Sequence, residues 1–401
     1  MNKKLLAVLA MALVPTVSVA ATDITNNAEL KFRMNHNQNS GRVDGANTTA
    51  WEQRLKWGLT YRAGEKLTGK VQLLHNANWG EDHGEAIMGD RTDDNALLVN
   101  QAFVNWMTSN DLSFTLGRQP IDFGDGTIFN NNDWEHEPYA FDGVGVAYDT
   151  EFAGINFWGV KLFDAGYAST GVSSPDSDPE RNLYVLSIDV KNMPEFLKML
   201  NIHIVKDSAN EVTADTTGNS PPGYTGSTTS SRIDSTRFGL TLKGMSGMVD
   251  YRLTYSAVSG EVEASGAKTD LASSMIDASV GYSLESFKNS HFELAYHTDT
   301  GDKTSTGSKN EGYDSAYYNM HYNAGRMDIQ RWGNLTYVKV GWHLEPMADY
   351  TAGLDYFQFS QTEDNGGEGD LGTELDLYAS RKYDNGLMMT ARLGMFTPGD
   401  A

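Results

Sequence analysis

Leu112–Gly143 reads LSFTLGRQPIDFGDGTIFNNNDWEHEPYAFDG. Leu112, Phe114 and Leu116 alternate with Ser113, Thr115 and Gly117, the period of two of a half-apolar strand. A Gly-, Asp- and Asn-rich stretch follows, and Phe141-Asp142-Gly143 returns the chain into a second alternating run through Val144, Val146 and Tyr148. A long polar loop between two strands that alternate over nearly their whole length is the repeating unit of a membrane-spanning β-barrel. The loop is the expected constriction, with Arg118, Asp122, Asp125, Asp133 and Trp134 as its candidate residues.

The same pattern extends in both directions. Leu30, Phe32 and Met34 oppose Glu29, Lys31, Arg33 and Asn35; Leu55, Trp57, Leu59 and Tyr61 oppose Arg54, Lys56 and Thr60. Further on, Val249, Tyr251, Leu253 and Tyr255 oppose Asp250, Arg252 and Thr254, and Phe292, Leu294 and Tyr296 oppose Glu293 and His297. Short connections, such as Ala63–Lys66, Ser109–Asp111 and Lys382–Gly386, alternate with long ones at Gly80–Asp94, Ala165–Arg181, Asp207–Ile233 and Asp299–Trp332. That asymmetry between the two ends is typical of outer-membrane barrels. Lys191–Leu200 departs from the pattern, and its apolar spacing predicts one or two helical turns.

The 401 residues contain no Cys, so disulfides and thiolate metal sites are excluded. Lys3-Lys4, the apolar run Leu5–Val14 and Ser18-Val19-Ala20 form a secretory leader covering residues 1–20, removed after Ala20. Losing its two lysines takes the formal charge of −22 to −24 in the mature chain. No other stretch is long and apolar enough for a membrane helix. Strands must therefore make any crossing, because only closed hydrogen-bonding schemes survive in hydrocarbon. So negative a chain is an unsuitable partner for nucleic acid. Residues 21–401 read as one all-β, transmembrane antiparallel barrel with outer-membrane lipid as its surroundings.

About 17 strands are visible. With the N-terminus on the short-turn side, the seventeenth ends on the long-loop side, and an even-stranded barrel of about 18 then needs one more strand beyond Ala401. The sequence accordingly reads as truncated at its C-terminus.

Three stretches resemble the alginate-export family of outer-membrane porins. The first is Gly117-Arg118-Gln119 with Gly124-Asp125-Gly126, Trp134 and Phe141-Asp142-Gly143. The second is Gly325-Arg326-Met327-Asp328 with Gly333-Asn334-Leu335 and Leu344-Glu345-Pro346. The third is Leu371–Asp376 followed by Leu393–Asp400. The resemblance implies an 18-stranded barrel that lets an anionic polysaccharide cross through an arginine-lined pore. By alternation Arg33, Arg54, Lys56, Lys70, Arg237, Lys243, Arg252 and Arg392 face the lumen. Glu29, Asp250, Asp277, Glu293, Asp355, Glu374 and Asp376 screen them. Both signs across one pore make a transverse field that suits small hydrophilic solutes as well as a polyuronate.

Arg118 falls on the outward parity. A bulge at Pro120 would re-aim it into the pore; otherwise it reaches along the outer interface. The carboxylates Asp122, Asp125, Asp133, Glu135 and Glu137 lack the ligand spacing of a Ca²⁺ loop and read as a solvated acidic loop. The histidines form no catalytic constellation, so neither an enzyme nor a cofactor is expected. Trp57, Trp106, Tyr148, Tyr251, Tyr255, Tyr282 and Tyr296 read as interfacial girdle residues. The reading of another class is a structural or surface-binding barrel with a closed pore.

Overall fold

The computed structural model describes residues 23–38, 47–79, 97–135, 137–164, 180–212, 231–264, 267–315 and 320–400. The leader at 1–20 and most of the long connections near 80–94 and 165–181 lie outside them. The first half comprises β1 (Asp23–Asn37), β2 (Thr48–Ala63), β3 (Leu67–Asn78), β4 (Leu97–Met107), β5 (Leu112–Gln119), β6 (Phe141–Asp149), β7 (Ala153–Asp164), β8 (Glu180–Val190) and β9 (Leu197–Val212). The second comprises β10 (Ser231–Ser246), β11 (Val249–Ala264), β12 (Ala267–Leu284), β13 (Ser290–Asp299), β14 (Lys309–Asn310), β15 (Leu335–Met347), β16 (Tyr350–Gln361), β17 (Asp370–Lys382) and β18 (Met388–Pro398). They form one 18-stranded sheet. β14 is a two-residue strip running parallel to β12, and β13 pairs with β15 past it. All the longer strands run up and down, each antiparallel to its neighbours. Among the described residues β1 pairs only with β2 and β18 only with β17, so the sheet is open at that seam.

The two faces are the reverse of those of a water-soluble sheet. Leu30 and Met34 are 58% and 54% exposed, while Arg54 and Asp277 on the other face are 4% and 0% exposed. Apolar-out and polar-in over consecutive strands is the arrangement lipid demands. Trp57, Trp106, Tyr148, Tyr282 and Tyr296 all stand on the exposed face.

Three expectations need correction. Residues 191–196 form a non-helical turn, closed by Leu197 N–H to Pro194 O at 2.9 Å, and Leu197 already begins β9. The pairing shifts there, Lys243 facing Met199 and Gly244 facing Leu197. Lys198 is thus an extra residue in the strand, and a bulge of this kind breaks the period of two; that break is what looked helical. Second, the Asp207–Ile233 loop is shorter than expected, because β9 runs to Val212 and β10 starts at Ser231. β11 and β12 likewise stay paired to Ala264 and Ala267, forming one tall hairpin.

The third correction concerns Arg118. Its pairings with Ala102 and Asp142 continue both registers without a shift. It therefore keeps the parity of exposed Leu116 and stands on the outer face, bound through Nε and Nη2 to the Asp142 carboxylate at 2.9 and 2.5 Å. Pro120 ends β5 without a bulge, since the ladder stops at Gln119 and no further pairing has to be accommodated.

Candidate functional site

Among the described residues, two connections fold back inside the sheet. The first, residues 120–140, is drawn in by its own apolar side chains. Ile121, Phe123 and Phe129 pack with Phe141 on an apolar patch of the inward face made by Val160, Leu183, Val185 and Val205. Phe129 lies 5.0 Å from Phe123 and 5.4 Å from Phe141, ring centre to ring centre. Gly124 and Gly126 turn the loop with φ of 58° and 78°, a region that costs other residues a Cβ clash.

That turn delivers Asp125 to the far wall. Its carboxylate lies 3.0 Å from Lys243 Nζ and 3.9 Å from Arg252 Nη1, and Arg252 also donates to Thr127 Oγ1 at 3.1 Å. Burial pushes the Asp125 carboxyl up, but Lys243 and Arg252 outweigh it and hold it below the usual carboxylate value. The other limb reaches β1 and β2. Arg54 Nη1 donates to the carbonyls of Asp133 and Glu135, each at 2.8 Å; Lys56 pairs with the Asp133 carboxylate; Arg33 Nη1 donates to Trp134 O at 3.3 Å. One loop thus touches β1–β2, β7–β9 and β10–β11, so the sheet wraps around it.

The second connection, residues 300–334, is held by carboxylates of the wall. Asp299 accepts from Gly333 N–H at 2.9 Å and Leu335 N–H at 2.8 Å. His297 lies between Asp299, at 2.9 Å, and Asp277, at 3.3 Å, with Trp332 and Tyr337 stacked against its ring. Glu374 Oε1 accepts from the N–H groups of Arg326 and Met327 at 2.8 and 3.0 Å, and Asp376 from Arg326 N–H at 3.0 Å. Gly325, with φ of 91°, passes so close that a Cβ would run into the Glu374 carboxylate. Arg237 holds the loop from β10, donating to Tyr313 Oη at 2.8 Å and to the Asp314 carbonyl.

The two loops meet at Trp134 and His321. Their rings stack 3.4 Å apart at 3°. His321 comes from a single helical turn, Met320–Asn323, and its Nδ1 lies 3.1 Å from the Asp328 carboxylate. Lys31, Arg33 and Arg392 stand 4.7, 4.4 and 5.1 Å from the Trp134 ring centre. Cations at such distances are attracted by the π-cloud. Burial pushes the His321 imidazole below its ordinary value, with Asp328 pulling the other way.

Most of the basic residues singled out by alternation are therefore on the inward face but are occupied in holding loops: Arg33, Arg54, Lys56, Arg237, Lys243 and Arg252. Arg252 also pairs with buried Asp277. Asp250 faces His291 at 2.8 Å, and Glu293 faces Lys339 at 2.5 Å. Lys70 is half-buried on the inward face and Arg392 is exposed beside Trp134. Asp122 is turned to its own loop, accepting from Asn131 N–H at 2.6 Å. Arg118 is the one candidate placed outside. The anchors of the second loop, His297, Asp299, Tyr313, His321 and Arg326, were missing from the candidates. Alternation along β13 does put His297 and Asp299 on the face of Glu293; nothing local marks Tyr313 or His321.

The family model described as alginate export matches residues 22–401. Among solved structures, the outer membrane protein OpdK of Pseudomonas aeruginosa is similar at a TM-score of 0.62 and 12% identity, with 95% of each chain covered. OccK8 (OprE) of the same organism is similar at 0.61 and 12%, covering 96% of each. A second OpdK structure, with vanillate, gives 0.59 and 12%, covering 92% of each. No curated protein sequence matches the chain. The chain belongs to the alginate-export family and has the fold of an outer-membrane porin.

Proposed function

We propose that this outer-membrane channel passes hydrophilic anionic solutes, polysaccharide among them, through a charge-lined path narrowed where its two inward loops meet. The observation that carries the reading is Trp134, the contact point of both loops, with Lys31, Arg33 and Arg392 around its ring. Three cations gathered at the contact of the two loops attract a carboxylate passing that point. Acids on β11–β17, such as Asp250, Glu293 and Asp355, provide the opposite sign along the wall. The similar OpdK barrel with vanillate, a small carboxylate, is consistent with this cargo class. In this reading residues 21–401 act as one barrel domain once a leader of residues 1–20 is removed.

The test is the reversal potential of the purified full-length protein in planar bilayers under a salt gradient. Lys31→Ala combined with Arg392→Ala, the first half-buried and the second exposed, should lower anion preference roughly threefold, each cation contributing about 1 kcal/mol or less. Unchanged selectivity would remove these side chains from the path. The second reading, a closed surface-binding barrel, is favoured by the amount of apolar packing the loops bring inside, and absence of any conductance would establish it.

A further inference from the structure

We propose that the inward face of β4–β7, between the first loop and the short turns, is a subsite for the pyranose ring of a saccharide, with Trp158 as its stacking platform. The proposal deepens the channel reading and rests on it for the route by which a solute reaches this wall. The observation is an indole inside the sheet whose lumen side is uncovered, next to polar side chains left without partners.

Of the eight indoles, Trp134, Trp158 and Trp332 stand inside the sheet. Trp134 is stacked with His321 at 3.4 Å and Trp332 with His297 at 4.3 Å. Trp158 is half-buried against the apolar patch under the first loop, and among the described residues no ring or cation is stacked on it. Its six-membered ring lies across Gly145 on the neighbouring strand, where an added Cβ would come 2.2, 2.3 and 2.5 Å from Cζ3, Cη2 and Cε3. The missing side chain lets the indole rest along the wall and turn a broad apolar face to the lumen. On β17 Tyr378 covers Gly353 in the same way, but Arg326 stands 4.7 Å over its ring.

The polar groups come next along the strands. Two residues nearer the turn, Asn156 lines a cavity of about 240 Å³ with Asn105, Ser113 and Ala147. Asn105 donates its amide to Thr115 Oγ1 at 2.8 Å, while the side chains of Asn156 and Ser113 have no hydrogen-bond partner among the described residues. An amide offering both a donor and an acceptor, beside a hydroxyl, matches the neighbouring hydroxyls of a sugar, and the flat indole matches its C–H face. Acids reach the cavity only at the turns, as Asp111 and Asp149, and Asp149 is paired with Lys191. The short-turn half of β11–β15 is built differently, filled by the pairs of Asp250 with His291 and Glu293 with Lys339. A neutral wall carrying an open indole selects a polyhydroxylated ring, and gives a bare carboxylate no cation to pair with.

The experiment titrates maltohexaose, a neutral glucose oligomer, into the purified full-length protein by isothermal calorimetry, in a dimethylamine-oxide detergent that has no sugar headgroup. Maltohexaose should bind, and a polyethylene glycol of similar mass should not. Trp158→Ala should weaken maltohexaose binding roughly tenfold, the loss of one apolar ring face. Asn156→Ala, which leaves the indole in place, should weaken it roughly fivefold, the loss of a hydrogen bond. The control Ser380→Ala on β17 should leave it unchanged. No maltohexaose binding, equal binding of the polyether, or equal affinity in the Trp158, Asn156 and Ser380 variants would overturn the proposal. The titration needs no current, so variant-sensitive binding by a protein without conductance would sustain this site and overturn only the channel reading. Binding of oligomannuronate alone would place recognition at the cations around Trp134 and overturn this site.

Discussion

The two inward loops are held by opposite chemistry. For residues 120–140 the wall supplies donors and the loop acceptors: Arg54 to two carbonyls, Lys56 to Asp133, Lys243 and Arg252 to Asp125. For residues 300–334 the polarity is largely reversed, with Asp299, Glu374 and Asp376 accepting from loop N–H groups. The first loop also brings a phenylalanine cluster of its own, while the second leans on wall aromatics through Trp332 and Tyr313. A lumen with its charges sorted by sector can thus orient two loops that could not be exchanged. Buried charges are tolerated because each is given hydrogen-bond partners.

Deleting Phe123–Trp134 is the harshest way to break the comparison. It should raise single-channel conductance severalfold and leave the far-ultraviolet β signal intact, since no strand is touched; loss of that signal would mean the phenylalanine cluster supports the barrel itself. Removing the acceptor of the second loop is milder. Asp299→Ala leaves the buried Leu335 N–H and the partly buried Gly333 N–H without their partner, and His297 with one carboxylate, costing about 2–4 kcal/mol in urea unfolding. Cleavage of residues 300–334 by added protease should speed up in step, and unchanged cleavage would show that Glu374 and Asp376 suffice. The smallest effect is that of pH on the contact between the loops. His321 is depressed by burial against the opposing pull of Asp328, so the seat favours neutral imidazole. Its contribution is complete above the ordinary histidine value of 6.5 and is lost as pH falls through the depressed one. Trp134 should then become more accessible to a soluble quencher in acid, and His321→Phe should abolish that dependence.

The strands were legible in the sequence wherever both faces kept their period. Lipid on one side and water or loop on the other impose opposite polarity residue by residue, and Leu30–Asn35 records that directly. Lys191–Leu200 was misread because the extra residue Lys198 shifts the parity. Arg118 was misread in the opposite direction: its outward parity was correct, and the bulge invoked to turn it inward is not there. The first loop could be singled out because its composition changes sharply between two regular strands. The second could not, because its anchors pair residues far apart in the chain, such as Arg326 with Glu374, and each half is an ordinary polar segment. Two stretches quoted for the family resemblance, Gly325–Asp328 and Leu371–Asp376, turn out to touch each other. Their contact explains the glycine, since only a residue without a Cβ can pass Glu374 there.

The anchors of the first loop also set an order of assembly. Arg54 grips carbonyls 79 and 81 residues away, and Arg252 reaches back 125 residues to Thr127. Closing such long segments is entropically uphill until the intervening strands have paired. The loop then finds both of its walls only after β10 and β11 have joined the sheet. A partly inserted chain would therefore pass through a wide, unobstructed intermediate, and the narrowing would be among the last features to form.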